Sequence, residues 1–79
     1  KYQTEIQVYA HNRNGLIMDI ARVFSENGIG INNISVHTSK TDIATINLTF
    51  DIKGREQLAY LIGKLHQITS VINIERNTG

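Results

Sequence analysis

The sequence predicts an α+β fold in which two helices lie on one face of a four-stranded antiparallel sheet. Three observations carry that expectation. Four segments alternate apolar and polar residues with a period of two, which suits half-buried strands. Two others space their apolar residues at i, i+3, i+4 and i+7, which suits helices with one apolar stripe. The two kinds follow one another as β-α-β-β-α-β, and two layers bury every apolar face at once.

The first strand runs from Thr4 to His11, with Thr4, Ile6, Val8 and Ala10 on one face and Glu5, Gln7, Tyr9 and His11 on the other. From Gly15 to Asn27, the positions Leu16, Ile17, Ile20, Ala21, Val23 and Phe24 make a helix stripe. Asn12 or Asn14 is expected to cap its start, and Asn27-Gly28 to stop it through a left-handed residue. The second strand spans Ile31 to Ser39, with Ile34 and Val36 inward and Ser35 and His37 outward, and Ser39-Lys40-Thr41-Asp42 reads as a hairpin turn. In the third strand Ala44, Ile46, Leu48, Phe50 and Ile52 alternate with Thr45, Asn47, Thr49 and Asp51. Gly54 precedes a second helix carrying Leu58, Leu61, Ile62, Leu65 and Ile68, where Ala59 and Gly63 form a small-residue strip expected to pack on the neighbouring helix. The last strand holds Val71, Ile72 and Ile74, Arg76 is expected to project as a solvated edge charge, and Asn77-Thr78-Gly79 reads as a frayed tail. The whole is the split βαβ order of a ferredoxin-like two-layer sandwich. In its usual 4-1-3-2 strand order the first and third strands are central, and those two alternate most cleanly here.

Seventy-nine residues make one domain, 1–79, near the lower limit for a core without staples. The absence of cysteine excludes disulfides and thiolate metal sites, and no run is long and apolar enough to span a bilayer. The chain opens on Lys1 with no signal peptide, so it reads as a fragment of a longer protein. Eight basic and seven acidic residues are scattered along it, and a net charge of +1 shows no basic stripe of the kind nucleic-acid binders carry.

The fold hosts many functions, so the sites must decide. Tyr9 is the one central-strand aromatic on the open face of the sheet, too few for RNA stacking. His11 and His37 share that face on strands two apart, which starts their side chains roughly 10 Å from each other. No third ligand joins them, so neither metal nor cofactor is expected. Arg13 and Asn47 suit an acylphosphatase-like enzyme, but a phosphate cradle wants several glycines and this loop has only Gly15. With no nucleophile–base pair, no catalytic residue is expected. The link His11-Asn12-Arg13-Asn14-Gly15 is then either turn chemistry or a small-ligand loop, in which the helix start favours a carboxylate and Asn12 an amino group.

The stretch from Asn12 to Val36, NRNGLIMDIARVFSENGIGINNISV, resembles the Asp/Asn-Arg-x-Gly-Leu, helix, Gly-Ile-x-Ile signature of ACT domains. These are ferredoxin-like regulatory modules of amino-acid and nucleotide metabolism. The closing LIGKLHQITSVINIERNTG is similar to the end of RelA/SpoT-type GTP pyrophosphokinases, the (p)ppGpp synthetase/hydrolases of the bacterial stringent response. Leu65, Ile68, Val71, Ile74 and Arg76 fall on its Leu-x-x-Ile-x-x-Val-x-x-Val/Ile-x-Arg pattern. The resemblance implies a non-catalytic domain of a cytoplasmic bacterial enzyme that senses starvation through the ribosome and uncharged tRNA. An ACT domain of an amino-acid biosynthetic enzyme is the alternative, and an acylphosphatase-like enzyme a distant third.

It further implies a homodimer and an amino-acid effector. Asn12, Arg13, Gly15 and Leu16 would form one wall of the binding site, and Ile29, Gly30, Ile31 and Asn32 of a second copy the other. The family commonly has Asp where Asn12 stands and Asn where Gly30 stands, so weak or absent binding of free branched-chain amino acids is expected. An edge strand or a helix strip is expected to pair the copies.

Overall fold

The computed structural model describes residues 2–77, and of Asn77 the backbone alone. Its elements are β1 (Tyr2–His11), α1 (Leu16–Glu26), β2 (Ile31–Thr38), β3 (Ile43–Ile52), α2 (Arg55–His66) and β4 (Val71–Asn77). Asn77 ends β4 rather than fraying, while Thr78 and Gly79 of the expected tail lie outside the described residues. The sheet order is β2-β3-β1-β4 with every pairing antiparallel, the expected order read from the other side.

Strand β1 pairs with β3 along its full length, Tyr2 opposite Ile52 and His11 opposite Ile43. Matched alternation places Ile6, Val8 and Ala10 beside Leu48, Ile46 and Ala44, and all six are fully buried under the helices. Leu16, Ile20 and Phe24 of α1 and Leu58, Leu61 and Leu65 of α2 close the core from above. Phe24 meets Phe50 edge to face, with ring centroids 4.9 Å apart at 78°.

Three local expectations change. Neither Asn12 nor Asn14 caps α1; the N-cap is Gly15 with φ 83°, and it has no side chain to offer. Ile34 and Val36 do face the helix layer, since they pair with the buried Leu48 and Ile46, yet they are 38% and 49% exposed. The helices cover the two central strands and leave edge strand β2 bare beyond Ile31, which is half-buried against the core. Gly63 packs on nothing, because a Cβ built there would meet no atom within 4 Å. The helix stop behaves as read: Gly28 has φ 68°, and the Gly28 and Ile29 amides donate to the Ser25 and Phe24 carbonyls.

Candidate functional site

The loop between β1 and α1 is held by backbone from two distant turns. The His11 N–H donates to the Ser70 carbonyl and the Asn12 N–H to the Asp42 carbonyl, each at 2.9 Å. Ser70 and Asp42 are the two non-glycine residues of positive φ among those described, at 95° and 65°. L-residues rarely adopt that conformation, so strained backbone converges on the end of β1 from both sides.

Arg13 is the clamp. Its Nε and Nη2 donate to the Thr69 carbonyl at 3.2 and 3.0 Å, Nε also lies 3.3 Å from Ser70 Oγ, and Nη1 donates to the Asn14 carbonyl at 3.1 Å. Nη2 also binds Asp19 Oδ2 of α1 at 2.7 Å, and Arg22 approaches the other Asp19 oxygen at 3.5 Å. One planar guanidinium thereby ties the β1–α1 loop, the first turns of α1 and the α2–β4 turn together. Asn12 Nδ2 donates to Asp42 Oδ1 at 3.3 Å.

Leu16 and Ile29 belong to the core, at 2% and 5% exposure. Gly15, Asn12 and Asn14 are exposed beside Ile17 and Met18, which are 38% and 69% exposed. The helix stripe therefore turns Leu16 inward and Ile17 outward, and the apolar rim of the loop is Ile17 and Met18. Gly30 and Asn32 are exposed at the far end of the sheet, where Asn32 Nδ2 donates to Asp51 Oδ1 at 3.3 Å. Within one copy the two expected walls stand at opposite ends of α1, an 11-residue helix of about 16 Å. Gly15→Ala should cost about 1 kcal/mol of stability, since its left-handed φ disfavours any Cβ while the nearest neighbour, Arg13 Nη1, is at an ordinary 3.6 Å. Thermal unfolding reads that loss, and an unchanged melting temperature would contradict it.

On the open face, the Tyr9 hydroxyl lies 2.8 Å from Gln7 Oε1 and 3.1 Å from Glu75 Oε1, two acceptors for one proton. The bond to Glu75 raises its pKa above the ordinary 10.0, with burial and the carboxylate charge adding to the effect. No cluster of three metal-ligating side chains occurs among the described residues, and none of their helices is long and apolar enough to cross a membrane.

The profile of the ACT domain matches residues 1–76. The chain belongs to the ACT domain family. This ACT domain is 29% identical over 79 residues to the GTP pyrophosphokinase of Escherichia coli strain K12, covering 99% of the chain and 11% of that enzyme. It is 33% identical over 70 residues to the guanosine-3′,5′-bis(diphosphate) 3′-pyrophosphohydrolase of Aquifex aeolicus, covering 89% of the chain and 10% of that enzyme. It thus spans about a tenth of the length of these curated relatives. The ACT domain from the GTP pyrophosphokinase of Chlorobium tepidum superposes with a TM-score of 0.83 at 28% identity, over 96% of this chain and 97% of that one. The small subunit of acetolactate synthase from Thermotoga maritima superposes at 0.84 with 16% identity, over 96% of this chain and 47% of that one, a likeness of fold alone.

Proposed function

We propose that this ACT domain is a non-catalytic regulatory module of a bacterial, cytoplasmic GTP pyrophosphokinase or (p)ppGpp hydrolase. The observation that carries this reading is the similarity of nearly the whole chain to a small part of such enzymes, together with the superposition on an ACT domain cut from one. Loop chemistry agrees. Arg13, the residue an acylphosphatase-like reaction would need, has its guanidinium engaged by Thr69, Ser70, Asn14 and Asp19. Contacts to the ribosome or tRNA would reach the domain through the parent protein.

The module acts as a homodimer paired along β2. Supporting this are the open edge of β2 and its uncovered Ile34 and Val36, with Ile17 also exposed on α1. Antiparallel pairing of β2 with its copy carries residues 29–32 of one chain to the end of the sheet where the other chain holds residues 12–16. The split walls then meet, twice per dimer. A helix start contributes only about 0.3–1 kcal/mol to a carboxylate, and Gly30 adds no side chain, so free valine, isoleucine and serine should bind weakly or not at all.

The test joins sedimentation with amide shifts during titration of those three amino acids. A dimer converted to monomer by Val36→Asp is expected, with shifts at residues 12–18 and 29–34 that do not saturate at low micromolar ligand. A wild-type chain monomeric at high concentration would overturn the pairing, and tight saturation would overturn the weak pocket. In the parent enzyme, deleting the domain should alter control of (p)ppGpp turnover while leaving the chemistry; loss of catalysis itself would contradict the regulatory assignment.

A further inference from the structure

At the end of the sheet away from the β1–α1 loop, three cations from separate places meet in one groove. Lys53 precedes α2, Arg55 opens it, and Arg76 lies on β4, more than twenty residues further along; all three line the groove. Arg76 sits opposite Ile6 in the register, which turns it to the helix side beside Arg55. Tyr2 and Thr4 of β1 share that face, since Thr4 pairs with the buried Phe50, and both line the same groove. Tyr2 is 66% exposed, an aromatic ring standing free at the rim.

Among the described residues no side-chain carboxylate lines this groove, although the chain has seven. Asp51 and Glu56 line adjoining depressions, the first sharing Lys53 with this groove and the second sharing Lys53 and Arg55 with it. Among the described residues, the ion pairs are those of Arg13 and Arg22 with Asp19, and none involves Lys53, Arg55 or Arg76. Like charges gathered without counter-charge repel one another, and an anion bridging them relieves that repulsion. Arginine forks suit phosphate oxygens bidentately, while lysine serves as a point charge.

We propose that this groove binds a nucleoside polyphosphate, its pyrophosphate across Lys53, Arg55 and Arg76 and its base on the Tyr2 ring. Cations from the β3–α2 link, the start of α2 and β4 can span more than one phosphate group. A free ring at the rim gives a base a face to stack on, which a bare pyrophosphate cannot use. The site is separate from the amino-acid loop, and it stands or falls independently of the parentage proposed above.

The experiment titrates inorganic pyrophosphate, GTP and guanosine separately into the 79-residue chain and follows its amides. Saturable shifts are expected at residues 2–4, 52–56 and 76 and none at 12–16, with GTP several-fold tighter than pyrophosphate and guanosine silent at the same concentrations. Arg55→Gln with Arg76→Gln should weaken both anions at least tenfold without changing the remainder of the spectrum, and Tyr2→Leu should bring GTP to the level of pyrophosphate. Lys53→Gln alone, which leaves both arginines in place, should weaken both anions several-fold. Raising the salt should weaken binding, because these charges are exposed. Shifts centred on residues 12–16, equal binding by the double variant, or no saturation in the millimolar range would overturn the proposal. So would displacement of GTP by an uridine oligonucleotide at equal phosphate concentration, which would mark the groove as an RNA contact.

Discussion

Phe24→Ala should remove about 3–5 kcal/mol of folding stability, the range for deleting a buried aromatic ring. Phe24 is 1% exposed and packs edge-on against Phe50, joining the last turns of α1 to the sheet through β3. Contact of the two rings accounts for about 0.5–1.5 kcal/mol, and lost burial with the residual cavity for the remainder. Domains hold about 5–15 kcal/mol in total, and a chain of 79 residues belongs towards the lower end. The variant should therefore be partly unfolded at room temperature, and urea denaturation followed by circular dichroism measures it. Phe24→Leu, which refills most of the volume, should lose clearly less. Equal losses for both would mean that ring geometry, rather than the filled space, holds α1 down.

Arg13→Ala should cost about 2 kcal/mol, a loss that a view of Arg13 as a ligand contact alone does not predict. Hydrogen bonds to a charged group contribute about 1.5–3 kcal/mol when removed, and the Arg13 and Asp19 side chains are 32% and 33% exposed, so solvent screens part of that. Because the guanidinium reaches the Thr69 carbonyl and Ser70 as well as Asp19, Asp19→Asn should cost less than Arg13→Ala. Arg13→Lys should not restore the loss, since an ammonium cannot serve these acceptors in one plane. Urea titration gives the stabilities, and hydrogen exchange should show faster opening at His11, whose amide donates to Ser70. A change within about 0.5 kcal/mol, ordinary for a surface residue, would mean the clamp is ornamental.

What the sequence made legible follows from periodicity. Alternation in β1 and β3 located both central strands and their inward faces, and the α2 stripe put Leu58, Leu61 and Leu65 in the core. Periodicity tells which way a side chain faces, not what lies above it; hence Ile34 and Val36 face the helices yet remain uncovered. Within α1 the apolar positions are crowded enough that Leu16 and Ile17 compete for the inside, and packing alone chooses Leu16. At the candidate loop the residues were readable and their partners were not. Arg13 bonds to Thr69 and Ser70, 56 and 57 residues away, and no local pattern announces such a contact. Gly15 was legible as the one glycine of the loop, but its left-handed φ makes it the helix cap, freeing Asn12 for Asp42. The Lys53–Arg55–Arg76 groove left no trace in the sequence, because it joins residues that only the sheet topology brings together.

The sheet order also governs how the chain acquires its structure. Strand β1 is made first but sits between β3 and β4, and β4 begins about 60 residues after β1 ends. At roughly 5–20 residues per second, a growing polypeptide waits about 3–12 s with one side of β1 unsatisfied. During that interval the backbone of Gln7, Tyr9 and His11, which points to the β4 side, can pair with any passing strand. Translation that stops before Val71 would accordingly yield no smaller working module. It would release a species whose innermost strand is exposed at an edge, a substrate for chaperones and proteases rather than a shortened domain.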